Sequence, residues 1–163
     1  MAVLVSPYFW AAAFINVPGD DGKVITIDFR VRFHRLKASV REALEYRIEA
    51  NKLTDDIRIG MRANLDNPET KHSDYLRNRM EGILAAKPIT DAEFCREVVV
   101  DLDIKDTEGN PIIYTPANME ELEEELDGFY RAIVLAYFKV KKAAANKQDV
   151  EKNSETQSGT TSS

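Results

Sequence analysis

The chain has one cysteine and two histidines in 163 residues. Cys95 therefore has no partner for an internal disulfide, which fits a reducing compartment. A nucleophilic Cys95 would need a base and an orienting group, and His34 and His72 supply no such set, so a buried helix position is the expectation. No pair of histidines has metal-ligand spacing, and there is no Cys-x-x-Cys and no Gly-x-Ser-x-Gly elbow. Seven glycines are scattered along the chain, and none forms a phosphate-cradling loop. Carboxylates and lysines can catalyse without a signature, but nothing here points to a catalytic residue, a metal or a cofactor. The expectation is a chain that is not an enzyme.

An excess of positive charge is also missing. Lys and Arg number 22 against 28 Asp and Glu, a formal charge of -6, which argues against a nucleic-acid surface. No apolar run reaches the ~20 residues that a bilayer span needs. The most apolar helical stretch is interrupted by Arg131, Lys139, Lys141 and Lys142. Met1 to Val17 is apolar but lacks the positive start of a signal peptide, and its Tyr8, Phe9, Trp10 and Phe14 suit a strand. A cytoplasmic protein with no membrane partner is expected.

What is present is a normal globular balance, 44% hydrophobic and 31% charged, in a length that fits one domain with a real core. The fold expected is α+β: an N-terminal β-hairpin over about 8–35, then a mostly helical region, all within a single domain over 1–147. Pro18-Gly19-Asp20-Asp21-Gly22 is a strong turn signal. After it, Ile25, Ile27, Phe29, Val31 and Phe33 alternate with Thr26, Asp28, Arg30, Arg32 and His34, the pattern of a strand with one buried face. The polar face, with Arg35, reads either as a solvated strand face or as a docking strip for an acidic partner.

Helices are predicted at about 39–50, 55–65, 74–86, 91–101, 119–126 and 129–146. Ser39 with Glu42 and Thr90 with Glu93 match capping boxes, and Thr54 and Asn118 stand where caps belong. Val40, Leu44 and Ile48 form the inward stripe of the first helix, and Leu53, Ile57, Met61 and Leu65 that of the second. His72 is expected in an exposed loop. Val98-Val99-Val100 could equally begin a strand. The glutamates of 120–125 read as a solvated face that suits the helix dipole. From 148 to 163 the chain has almost no apolar residues and is expected to be a disordered tail.

The final helix is unusually apolar. At about 100° per residue, Phe129, Ile133, Ala136, Tyr137, Val140 and Ala144 share one stripe, and Tyr130, Val134 and Phe138 a second beside it. Such a helix is either buried on two sides of its own domain or gives one face to a partner.

From Phe94 onward the layout resembles the tail assembly chaperones of long-tailed bacteriophages and prophages. The pattern is a helix (Phe94–Asp101), an acidic turn (Asp106–Pro111) and an apolar segment ending Thr-Pro-Ala-Asn (Ile112–Asn118). A leucine-bearing short helix (Leu122–Leu126), an aromatic and alanine-rich last helix (Phe129–Ala145) and a polar tail follow. Leu102 and Ile104 stand where the family pattern has a tryptophan. The resemblance implies a non-enzymatic protein that forms homo-oligomers and binds the tape measure protein, keeping it soluble in the host cytoplasm, and that is absent from the mature virion. It also implies a longer form made by frameshifting as a further partner. A tail-completion or head–tail connector protein is the alternative. Under the chaperone reading, Tyr130, Val134, Phe138, Phe9 and Phe14 are the expected partner or subunit contacts, the last two on a strand edge.

Overall fold

A computed structural model describes the backbone of residues 5–158 and the side chains of residues 5–147. The architecture is α+β, and the chain divides into two compact units. One comprises Tyr8–Phe33 and everything from Val99 onward; the other comprises His34–Val98 and the segment ending at Pro7.

The first unit is built on a sheet of order β1-β2-β3. Strand β1 is Tyr8–Pro18, β2 is Val24–His34 and β3 is Val99–Asp103. The predicted hairpin is present. Its turn closes with Gly19 N–H donating to the Lys23 carbonyl at 2.7 Å, and Gly22 takes a φ of 77°, which a side chain would disfavour. Phe29, Val31 and Phe33 are buried as the alternation requires, whereas Ile25, near the turn, is exposed.

The helix predicted to reach 101 stops at Val98, and Val99 opens β3. This corrects the longer helix and bears out the alternative. Consecutive β-branched valines are stiff in a helix and suit a strand, and β2 offers a ladder. β3 runs antiparallel to β2, with Arg30 opposite Asp103 and Arg32 opposite Asp101, and an irregularity between Arg32 and Phe33.

Two helices complete this unit, α5 (Pro116–Glu125) and α6 (Phe129–Ser158). α6 lies on β1, and α5 packs against α6. The core between sheet and helix is aromatic. Phe29 stacks on Phe129 with ring centres 5.2 Å apart, and Phe33 meets both Phe9 (5.4 Å) and Tyr137 (5.3 Å, edge-on). The helical backbone continues beyond the predicted end at 146, to Ser158. Of the expected tail, the side chains from 148 and residues 159–163 lie outside the described residues.

α5 begins earlier than predicted. Thr115, not Asn118, is the cap: its hydroxyl accepts from Asn118 N–H at 3.1 Å, and Pro116 occupies the first turn, where its missing N–H costs nothing. Asn118 instead donates from its side chain to the Ile113 carbonyl. The acidic run is not wholly a solvated face either. The Glu123 carboxylate accepts from Tyr130 N–H at 2.8 Å and Gly128 N–H at 3.4 Å, so it caps α6. Replacing Glu123 with Ala is expected to cost about 1 kcal/mol, with faster amide exchange at Gly128 and Tyr130. Unchanged stability and exchange would remove that role.

The second unit is helical: α1 (Ala38–Ala50), α2 (Asp55–Asp66), α3 (Asp74–Ala85) and α4 (Asp91–Val98). α3 packs on α1 and α2, and α4 on α1. The caps of Thr54 and Ser73 and the reciprocal Thr90–Glu93 box are formed. The Ser39–Glu42 box is not. α1 starts from Lys37, which places Ser39 inside the first turn, and Glu42 accepts from the Tyr46 hydroxyl instead. Leu44 and Ile48 are buried, but Val40 is exposed and leaves the expected inward stripe. Of the α2 stripe only Leu65 is buried; Ile57 is exposed, with Leu53 and Met61 between. His72 is half-buried rather than exposed, and its Nε2 lies 2.5 Å from Asn64 Oδ1. Cys95 is buried on α4, as expected.

Gly82 sets the α1–α3 approach, because a Cβ there would lie 2.5 Å from the Tyr46 ring. In an open helix Gly→Ala gains about 1 kcal/mol. Here the ring must move, at a cost of about 1–3 kcal/mol. Gly82→Ala is therefore expected to destabilise the protein, and to become stabilising in a Tyr46→Ala background. A double-mutant cycle on urea midpoints reads this directly.

Candidate interaction surface

β1 alternates strictly through its middle. Ala11, Ala13 and Ile15 are buried beneath α6, while Trp10, Ala12, Phe14 and Asn16 are exposed. On that outer face the Arg30 guanidinium lies 4.9 Å from the centre of the Trp10 ring, and Arg32 lies 4.6 Å from that of Tyr8. The register sets Asp103 and Asp101 opposite these two arginines on β3. Arg35 donates from Nε to the Ser6 carbonyl at 3.0 Å. The cations of the expected docking strip are thus engaged locally, Arg30 and Arg32 by rings and Arg35 by a main-chain acceptor.

The five residues expected at an interface fall in different places. Tyr130 and Val134 are buried, Val134 with 1% of its surface exposed. Phe138 is half-buried, edge-on to Tyr137 at 5.4 Å. Phe9 is half-buried between Phe33 and Tyr137. Phe14 alone is largely open, at 55%.

Phe14 borders a groove of about 520 Å³ that runs along β1 and is walled on the other side by α6. Ala132 and Ala136 line the helix wall, and Leu135 stands on it with 55% of its surface exposed. Arg131 and Lys139, four residues to either side of Leu135, are the charged groups of the lining. Of the candidate residues, the groove brings together Phe14 and the exposed flank of α6. Leu135 escaped the sequence reading because it falls outside both apolar stripes. The signal that could have found it is a lone large apolar residue between two cations at helical spacing.

No family model, curated protein or solved structure matches this chain.

Apolar side chains also stand open on the helical unit, with Ile57 and Ile59 on α2 and Tyr75 and Leu76 on α3. Perturbed ionisation there and in the loop after β3 has local causes. The hydrogen bond to the Glu42 carboxylate, then burial, pushes the Tyr46 phenol up to about 12. The Thr90 N–H holds Glu93 below its usual range, as befits a cap. Asp106 is lowered first by Asn110 N–H. Its Oδ1 accepts from Asn110 N–H at 2.8 Å and Glu108 N–H at 2.9 Å, which closes the Asp106–Pro111 turn around Gly109, whose φ is 86°. These groups serve a helix contact, a cap and a turn, and each shift follows from that service. Among the described residues no cluster of His, Cys, Asp or Glu is arranged to hold a metal, and no helix is long and apolar enough to cross a membrane.

Proposed function

We propose that the chain is a non-enzymatic tail assembly chaperone of a long-tailed phage or prophage. It binds the tape measure protein, self-associates, and keeps its client soluble while the tail is built. One observation carries the reading: an acidic chain leaves large apolar side chains exposed, Phe14 on the strand and Leu135 on the helix that border one groove. A chaperone for a long helical client needs apolar patches of this kind set in a charged, soluble exterior. The segment that carries the family resemblance adds support. It comprises a closed acidic turn, a Thr-Pro helix start and an aromatic last helix packed on the sheet.

Binding must be reversible, because the client is later surrounded by the tail tube. Modest contacts multiplied by self-association meet that need. A frameshifted longer form would join the same oligomer through the shared sequence. Mass spectrometry of infected cells and of purified particles separates this role from that of a tail-completion or connector protein. The chaperone reading expects the chain in the lysate and its absence from particles. Stoichiometric recovery in particles would favour the structural role.

A further inference from the structure

We infer that copies of this chain associate through charge, the acidic outer face of α5 on one copy seating on the free, basic stretch of α6 on the next. This contact deepens the self-association of the proposed function. It can be tested with no tape measure protein present, so either can fail alone.

The unpartnered surface is on α6. From Lys141 to Lys147 every residue of the helix is exposed, including Ala143, Ala144 and Ala145. A helix open on all sides has no packing of its own to hold it there. Its charge is of one sign: from Gly128 to Gln148 the chain has no carboxylate. Lys139 and Lys142 are both exposed and lie about 60° apart around the helix, one turn from each other. No ion pair within the chain involves either. Lys139 is the last residue that lines the groove beside β1, so a helix seated across this pair lies past Leu135.

The complementary surface is on α5. At about 100° per residue, Glu121, Glu124 and Glu125 share an arc of about 100°, centred about 140° from the buried Met119 and Leu122. All three are exposed, and none has an ion pair within the chain. Because α5 starts at Pro116 and ends at Glu125, Glu124 and Glu125 stand in its last turn, where the helix dipole disfavours carboxylates. Like charges at three- and four-residue spacing add repulsion. The chain carries this arrangement with no cation of its own between Pro116 and Tyr130 to relieve it.

The two surfaces cannot answer each other within one copy. α5 packs on α6 through Met119 and Leu122, which turns the glutamate arc away from that helix. A second copy brings both what the lysines lack and what the glutamates lack, and each contact relieves repulsion on both helices. Exposed pairs of this kind are individually weak, which keeps the association reversible.

The test is sedimentation velocity of the full chain at low salt. One variant carries Glu121→Lys with Glu125→Lys, the other Lys139→Glu with Lys142→Glu; all four positions are exposed. Each variant alone should associate roughly tenfold more weakly than the parent. The α5 variant decides against general repulsion, because it lowers the net negative charge and would then associate more strongly. Mixed at equal concentration, the two variants should associate as the parent does, because each supplies the charge that the other's surface now needs. Raising the salt from about 0.01 M to about 1 M shortens the Debye length from about 30 Å to about 3 Å, and should dissociate the parent and the mixture alike. A parent that is monomeric at low salt, variants that associate as the parent does, or a mixture that stays as weak as its components overturns the inference. Parent association that survives high salt overturns it too, because an apolar contact then holds the copies together.

Discussion

Val134→Asp is expected to destabilise the sheet unit severely, while Leu135→Asp, one position along the same helix, leaves it intact. Val134 has 1% of its surface exposed, and a carboxylate there would be buried with nothing to pair with it. An uncompensated buried charge costs about 3–5 kcal/mol, a large share of the 5–15 kcal/mol that holds a typical domain together. Leu135 is open to solvent, with Arg131 and Lys139 four residues to either side. An aspartate at that position stays in solvent and faces Lys139 across one turn, a helical pair of about 0.2–0.5 kcal/mol. Far-UV circular dichroism during a thermal ramp separates the two variants. Equal stabilities would mean that the second stripe of α6 is not core. With Tyr130 and Val134 in the core, the surface left for a partner centres on Phe14 and Leu135, and Leu135→Asp should weaken client binding without unfolding the chain.

Phe33→Ala carries the other large effect. Phe33 is fully buried and touches the rings of Phe9 and Tyr137, so it joins the middle strand to α6. Truncation removes the apolar area of the ring and leaves a cavity that a rigid aromatic cluster cannot close. Losses of about 3–5 kcal/mol are usual for such sites. Phe33→Leu should recover most of that loss, because it returns volume without the ring. Chemical denaturation midpoints for the two variants give the comparison. A Phe33→Ala midpoint within error of the parent would place the aromatic core elsewhere.

The parts of the fold that sequence exposed are those set by local chemistry. The hairpin followed from the alternation of Ile27 to Phe33 and from a turn rich in Gly and Asp. Helix starts at Thr54 and Thr90 followed from hydroxyls placed ahead of apolar periodicity. The parts it hid depend on distant partners or on competition between neighbours. β3 is five residues long and is distinguished from the end of a helix only by the ladder that β2 offers. Ser39 is a good cap by type, but the helix enters two residues earlier, and Tyr46 draws the carboxylate that the box needs. Glu123 looked like one more solvated acid, although it reaches forward across the Asp127-Gly128 break to cap the next helix.

The candidate site was half legible for the same reason. Phe14 could be named from its strand. The opposing wall could not, because which flank of α6 lies beside β1 is decided by packing between elements more than 100 residues apart in sequence. An all-round apolar helix tells only that it is buried on much of its surface. The position left open, Leu135, is the one that the periodicity assigned to neither stripe.

As a chaperone, this chain is proposed to keep a tape measure protein soluble. The most direct test is co-expression of the two, with an affinity tag on the tape measure protein alone. The expected result is a soluble tape measure protein that retains this chain through purification, and an insoluble one when this chain is omitted or carries Leu135→Asp together with Phe14→Asp. A tape measure protein that partitions identically with and without this chain, and never retains it, would rule out the chaperone role.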